Sequence, residues 1–274
     1  MGVEGGHADV LPPLYARWAS EFLGGAIPAE SAATCNDCAM LSGERGTARP
    51  AAAPFFNPDT KCCTYLPVLP NFLVGRMLAD DSPEFARGRA TLEARLTAGT
   101  AVSPRGIGRD AAYDLLYVTR GKSLFGRARS MLCPHYFDEG GGPCGIWRHR
   151  AAVCATWFCK YVRGAVGQRF WQALHRQLSA VEGELSVWCA RQLGELGEWS
   201  GREREFFQEC APAGRGASLA RRGADLRTRL ERLREQVLQV PADGFVDVGH
   251  CPATDAEAAA GIFFRPAGGL NNAI

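Results

Sequence analysis

Cys144-Gly145-Ile146-Trp147-Arg148-His149-Arg150-Ala151-Ala152-Val153-Cys154 is the stretch on which the reading of this chain turns. It brings two thiols together with a run of cations, and it belongs to a longer series. Read in order, Cys35-x-x-Cys38, the adjacent Cys62-Cys63, Cys133, Cys144, Cys154 and Cys159 hold eight of the eleven cysteines. Thiolates are soft ligands that select zinc, copper(I) or iron–sulfur clusters. Closely spaced cysteines without a secretion signal point to metal rather than to disulfides. An odd number of cysteines also argues against a purely disulfide framework.

Outward from this block, the chain reads as mainly α. Residues 11–24 form a short helix after a proline pair, and 41–60 are loop. Leu66–Val74 is apolar, but Pro67 and Pro70 exclude a central strand or a helix interior, so an extended buried segment is expected. Ser82-Pro83-Glu84 starts a helix running to about Leu96, closed by Gly99 and the turn Ser103-Pro104-Arg105-Gly106. A second helix covers about Asp110–Val118 and fades near Gly121. Phe170, Leu174, Leu178, Val181, Leu185, Trp188, Cys189, Leu193 and Leu196 recur at helical steps and predict one long amphipathic helix. Leu219, Leu226, Leu230, Leu233, Val237 and Val240 repeat nearly as a heptad, more economically packed on that long helix than on a second subunit. The expected organisation is an irregular cysteine-rich metal-binding domain over residues 1–165, packed with a helical C-terminal region over 166–274.

Composition limits the partners. A formal net charge of +2 gives no general attraction to nucleic acid or to anionic membrane. No apolar run approaches the length of a membrane span. The first residues, Met1–His7, carry neither a cationic start nor an apolar core, so no secretory signal and a reducing cytoplasm are expected. A protein or peptide partner stays open. The arginines at 221, 222, 227, 229, 232 and 234 alternate with acids and read as a solvated helix face.

Geometry suggests how the thiols divide. Cys35 and Cys38 can converge on one centre from a turn. Side chains of the adjacent Cys62 and Cys63 diverge in regular structure and more easily serve different centres. On a continuous helix Cys159 points away from Cys154. The preferred first site is therefore Cys63, Cys133, Cys144 and Cys154, leaving Cys35, Cys38, Cys62 and Cys159 as a second site or a reserve shell. Such a centre is zinc or an oxidised [4Fe–4S] cluster, one or two per chain. Four thiolates leave about two negative charges on it, and Arg148, His149, Arg150, Lys160 and Arg163 stand near enough in sequence to offset them, with Arg150 the favoured partner of the centre. His135 and His149 are candidates to complete a Cys₃His site. Asp138 and Glu139 read as a solvated turn before the ligand-presenting glycines 140–142. Cys189 reads as core, and Cys210 and Cys251 as thiols without partners nearby in sequence.

The residues 144–154 also resemble the Cys-x-Ile-Tyr-x-x-Arg-Pro-x-x-Cys signature of the YkgJ-type cysteine-cluster family, whose members chelate zinc or iron. Trp147 and Ala151 stand where that signature has Tyr and Pro. The family's N-terminal Cys-x-x-Cys-x-x-Cys-Cys corresponds to Cys35, Cys38, Cys62 and Cys63, with 23 residues separating Cys38 from Cys62 where the family has two. Cys133-Pro134 holds the place of its lone Cys-Pro. The resemblance covers about residues 35–160 and implies a metal or iron–sulfur centre in a structural or redox role. Because the family includes the flagellin lysine N-methylase, it also implies an alternative, an iron–sulfur-dependent methyltransferase acting on a protein or peptide side chain. No Gly-rich nucleotide loop accompanies it.

Overall fold

Proline and glycine set the ends of the first helix. Pro12 and Pro13 open it, where a missing N–H costs nothing, and Gly24, at φ +62°, closes it with its N–H on the Ser20 carbonyl. The computed structural model that shows this describes residues 11–24, 26–30, 56–139, 143–158, 161, 163–193, 201–213 and 224–239. Within them the chain is mainly α, as expected. The helices are α1 (Pro13–Leu23), α2 (Asn71–Leu78), α3 (Ala86–Ala98), α4 (Ala111–Leu124), α5 (Ala152–Thr156), α6 (Gly164–Gln192), α7 (Glu203–Cys210) and α8 (Ala224–Gln239). No described helix is long and apolar enough to cross a membrane.

The segment expected to stay extended through Val74 does so only as far as Pro70. Pro70 sits at the N-cap of α2, so the prolines precede that helix instead of interrupting it. Leu69–Pro70 forms β1 of a small antiparallel sheet ordered β1–β3–β2, with β2 at Val102–Ser103 and β3 at Gly106–Ile107. Leu69 pairs with Ile107, which also pairs with Val102. Asn71 then ties this hairpin to the helices. Its Nδ2 donates to the carbonyls of Pro104 and Ser186, each at 2.8 Å, while its own N–H donates to Arg105.

The helix reading from Ser82 onward is right in place but not in detail. Pro83–Phe85 is a 3₁₀ turn before α3, and the Ser82 hydroxyl caps no backbone N–H; it donates to Asp80 at 2.6 Å. Gly99, at φ +64°, ends α3 as expected. Asp110 caps α4 by accepting the Tyr113 N–H at 2.7 Å. That helix runs past Gly121 to Leu124, since one glycine costs about 1 kcal/mol and does not break a supported helix.

The 29-residue α6 is the spine. Phe170, Trp171, Leu174, Leu178 and Val181 of its buried face join one core with Trp18, Phe22, Phe72, Met77 and Phe207. This core runs on both sides of residue 165. Trp188, expected on the apolar face, is 51% exposed. Successive helical residues lie about 100° apart, so the face that buries Cys189 turns Trp188 outward. The seam of the last helix packs inside the molecule: Leu230 and Val237 are buried as α8 lies on α6 and α1, and Arg234 donates to the Leu23 carbonyl at 2.8 Å. Leu219 and Val240 lie outside the described residues.

Candidate metal centre

Three segments bring the described thiols of the cysteine block near one another. The first is a turn at 57–65. The N–H groups of Thr60 and Lys61 both donate to Asn57 O, and Lys61 takes a left-handed φ of 49° just before Cys62. A non-glycine residue held there stores strain of about 1–2 kcal/mol, so the surroundings must hold the turn. Thr60 does this by donating its hydroxyl to Gly126 O at 2.8 Å, and Thr64 by accepting the Gly126 N–H at 2.6 Å.

The second is a tight hairpin. Cys133 N–H donates to Cys63 O at 2.7 Å, fastening the hairpin to the first turn. Tyr136 pairs with Cys144 in an antiparallel bridge, and Gly145 N–H donates to His135 O at 2.7 Å. The third is α5, which carries Cys154. Its N-terminus is held by Glu182 of α6, whose Oε1 accepts both the Ala152 N–H at 2.8 Å and the Tyr15 hydroxyl.

At this locus Cys62, Cys133, Cys144 and Cys154 act on one another electrostatically. The Cys133 thiol is pushed up to about 12, first by burial and then by Cys144 and Cys62, against the His135 N–H donated to its sulfur and the cation of Arg95. Cys154 is raised well above its ordinary value by burial, then by Cys144 and Cys133, with Arg150 opposing. Cys63, preferred over Cys62 for this site from the sequence, gives Cys133 its carbonyl and bears on Tyr136. Cys62, assigned from the sequence to the second group, is the one that acts on the Cys133 and Cys154 thiols. Among the described residues, no three His, Cys, Asp or Glu side chains are arranged to hold a metal ion. Cys35, Cys38 and Cys159 lie outside the described residues, as does Cys251.

One premise of the sequence reading needs correction. Cys154 and Cys159 do not share a continuous helix, because α5 ends at Thr156 and the backbone turns extended at Trp157 (φ −89°, ψ 123°). The helical offset therefore decides nothing about Cys159.

The cations sort themselves differently from their sequence order. Arg150 comes close: its guanidinium donates to Cys154 O at 3.0 Å, stacks on Trp147 at 3.3 Å from the ring centroid, and lowers the Cys154 thiol. Arg148 and His149 turn instead to Asp80, at 3.6 and 2.7 Å. Burial works upward on that carboxyl, but bonds from Ser82 and His149 win and hold it at about 2. Arg163 donates to Ala29 O, and Lys160 lies outside the described residues. Arg95 of α3 was not foreseen. It bears on both Cys133 and His135, and no spacing near the cysteines announces it.

The two histidines also part ways. His149 spends Nε2 on Asp80. His135 is fully buried, and its Nδ1 lies 2.7 Å from Thr91 Oγ1, whose own hydroxyl donates to Gly88 O at 2.7 Å. Thr91 must therefore accept from Nδ1–H, which leaves Nε2 a bare, buried lone pair with no hydrogen-bond partner among the described residues. Asp138 and Glu139 are exposed and paired with Arg129 and Arg87, the solvated turn that was expected.

In donor chemistry these residues fit zinc or an iron–sulfur cluster: soft thiols, a backbone N–H on one sulfur, and two nearby guanidinium groups. Comparison with family models, with curated proteins and with solved structures finds no match.

Glu182 makes a pH prediction. Burial raises its carboxyl from an ordinary 4.5 to about 7, against the bonds from Tyr15 and Ala152. The folded state thus holds its proton more tightly than the unfolded chain. This contribution is complete below pH 4.5 and is lost as pH rises through 7. Thermal melts across that window should show a loss on the order of 3 kcal/mol in the native protein and a flatter profile in Glu182→Gln. An identical slope in both proteins would contradict the assignment.

Proposed function

We propose that this chain binds a soft metal centre, zinc or a [4Fe–4S] cluster, through thiols of the cysteine block, in a structural or redox role. One observation carries the reading. Cys62, Cys133, Cys144 and Cys154 come from three stretches far apart in sequence, yet each of the last two segments is tied by backbone bonds or electrostatics to the same locus. Unligated, the Cys133 and Cys154 thiols are raised by burial and by their thiol neighbours, and a metal would remove that cost by ligation. Arg150 and Arg95 would offset the residual charge. The likeness of residues 144–154 to the YkgJ-type signature supports the same reading. Cys35, Cys38 and Cys159 are proposed as further ligands of the first or of a second centre, and the cytoplasm as the compartment.

Anaerobic purification followed by metal and acid-labile sulfide analysis tests this. Zinc, or iron with sulfide, should be found at one or two centres per chain, and an iron–sulfur centre should add visible absorption that bleaches in air. Metal-free protein with its block cysteines paired as disulfides would end the proposal.

A further inference from the structure

Ser82 stands between an anion and a cation. Its hydroxyl donates to Asp80 Oδ1 at 2.6 Å, and its oxygen accepts from Arg148 Nη1 at 3.0 Å. No other Ser or Thr hydroxyl among the described residues is bonded to a carboxylate and a guanidinium at once. The residue lies in the loop joining α2 to α3, with Asp81, Pro83 and Glu84 exposed around it. Its backbone is extended (φ −61°, ψ 136°), as a following proline requires. We propose that Ser82 is a phosphorylation site for a proline-directed protein serine kinase, and that Arg148 takes the phosphate.

The chain has two Ser-Pro dipeptides, and they differ in setting. Ser103 lies in β2, paired with Gly106, and its hydroxyl donates to the Gly106 carbonyl at 3.3 Å. Ser82 lies outside every helix and strand, so its modification breaks no strand pair. In the transfer, Ser82 Oγ bonds to the γ-phosphorus of ATP as the bond to the β,γ-bridging oxygen breaks. ADP leaves, and the hydroxyl proton passes to solvent. The ester carries about −1.5 to −2 charge and three acceptor oxygens, and it no longer has the O–H that Asp80 accepts. Two anions at that distance repel, whereas Arg148 already stands 3.0 Å from Oγ and 3.6 Å from Asp80. The guanidinium therefore trades the carboxylate for the phosphate, where its fork binds two oxygens. Asp80 keeps His149 at 2.7 Å. Arg89, which donates to Asp80 O and Asp81 Oδ1, adds a second positive charge to the loop. No thiol takes part, so this inference and the proposed metal centre stand or fall separately.

The test treats the full chain with a purified proline-directed serine kinase, ATP and Mg²⁺, and maps the product by mass spectrometry. One HPO₃ group on Ser82, ahead of Ser103, is expected. Phosphorus NMR across pH then compares this protein with Arg148→Gln phosphorylated in the same way. The Ser82 phosphate should lose its last proton about one pH unit lower in the unsubstituted chain, because a neighbouring cation favours the more charged form. Asp80, Asp81, His149 and Arg89 are present in both proteins, so the difference belongs to Arg148. Arg148→Lys keeps the charge and loses the fork; it should titrate in between, and it serves if Arg148→Gln fails to fold. An unmodified Ser82, phosphate on Ser103 first, or the same titration with and without the Arg148 guanidinium would overturn the inference.

Discussion

If thiols of the cysteine block hold a metal as proposed, serine in place of Cys154 should strip it and take the protein's solubility with it. Cys154 sits on the short α5, pinned between Glu182 at the helix start and Arg150 at its carbonyl, so its sulfur has little freedom to be replaced by another donor. Where a metal organises a fold, its binding energy is folding energy, about 10–16 kcal/mol in zinc-finger peptides. A hydroxyl is a harder and weaker ligand than a thiolate, and most of that contribution would go. Cys144→Ser should behave alike, whereas Cys189→Ala should keep full metal content because that thiol is buried in the apolar core along α6. Metal analysis and the soluble yield of the three variants form the measurement. Equal metal loss from Cys189→Ala would show the ligands to have been misassigned.

Gly88→Ala is the second large effect. A methyl group at Gly88 on α3 would stand 1.9 Å from the carbonyl oxygen of Gly145, backbone against backbone. Neither side can rotate away, so either α3 or the Cys144-Gly145 arm must shift. Overpacking costs about 1–3 kcal/mol where side chains can adjust, and this contact belongs at the top of that range. Gly88 also shares its face of α3 with Thr91 and Arg95, which hold His135 and bear on Cys133. A shift there should lower stability and, on the metal reading, the occupancy of the centre as well. Gly99→Ala, at a left-handed helix end with open space around it, is the comparison that separates backbone strain from crowding. An unchanged melting temperature and metal content in Gly88→Ala would mean that α3 is not a wall of the centre.

How much of this was legible in the chain depends on whether the signal was local. The end of α3 at Gly99 and the start of α4 at Asp110 were readable because one residue carries each, through a positive φ or a carboxylate cap. The long α6 and its packing against α8 followed from apolar periodicity. What periodicity weights by hydrophobicity it cannot see as charge, so Glu182, buried on the same face as Val181, went unread. Proline misled in the other direction, since Pro70 caps a helix it was expected to prevent. At the candidate site, the nearness of Arg150 to Cys154 was legible. Arg95 was not, because helix α3 approaches through the Gly88–Gly145 contact and no spacing records a close approach in space.

The stacking of Arg150 on Trp147 gives the protein an optical signal of its own. Trp147 is 37% exposed, which sets it apart from the fully buried Trp18 and Trp171. Its indole lies under a guanidinium that also binds the Cys154 carbonyl. Any event that moves that guanidinium alters both the solvation and the local field of the ring. The emission of a half-wet indole shifts with both, so loading or loss of a metal at Cys154 should be visible as a red-edge change in tryptophan fluorescence, readable in seconds without a label.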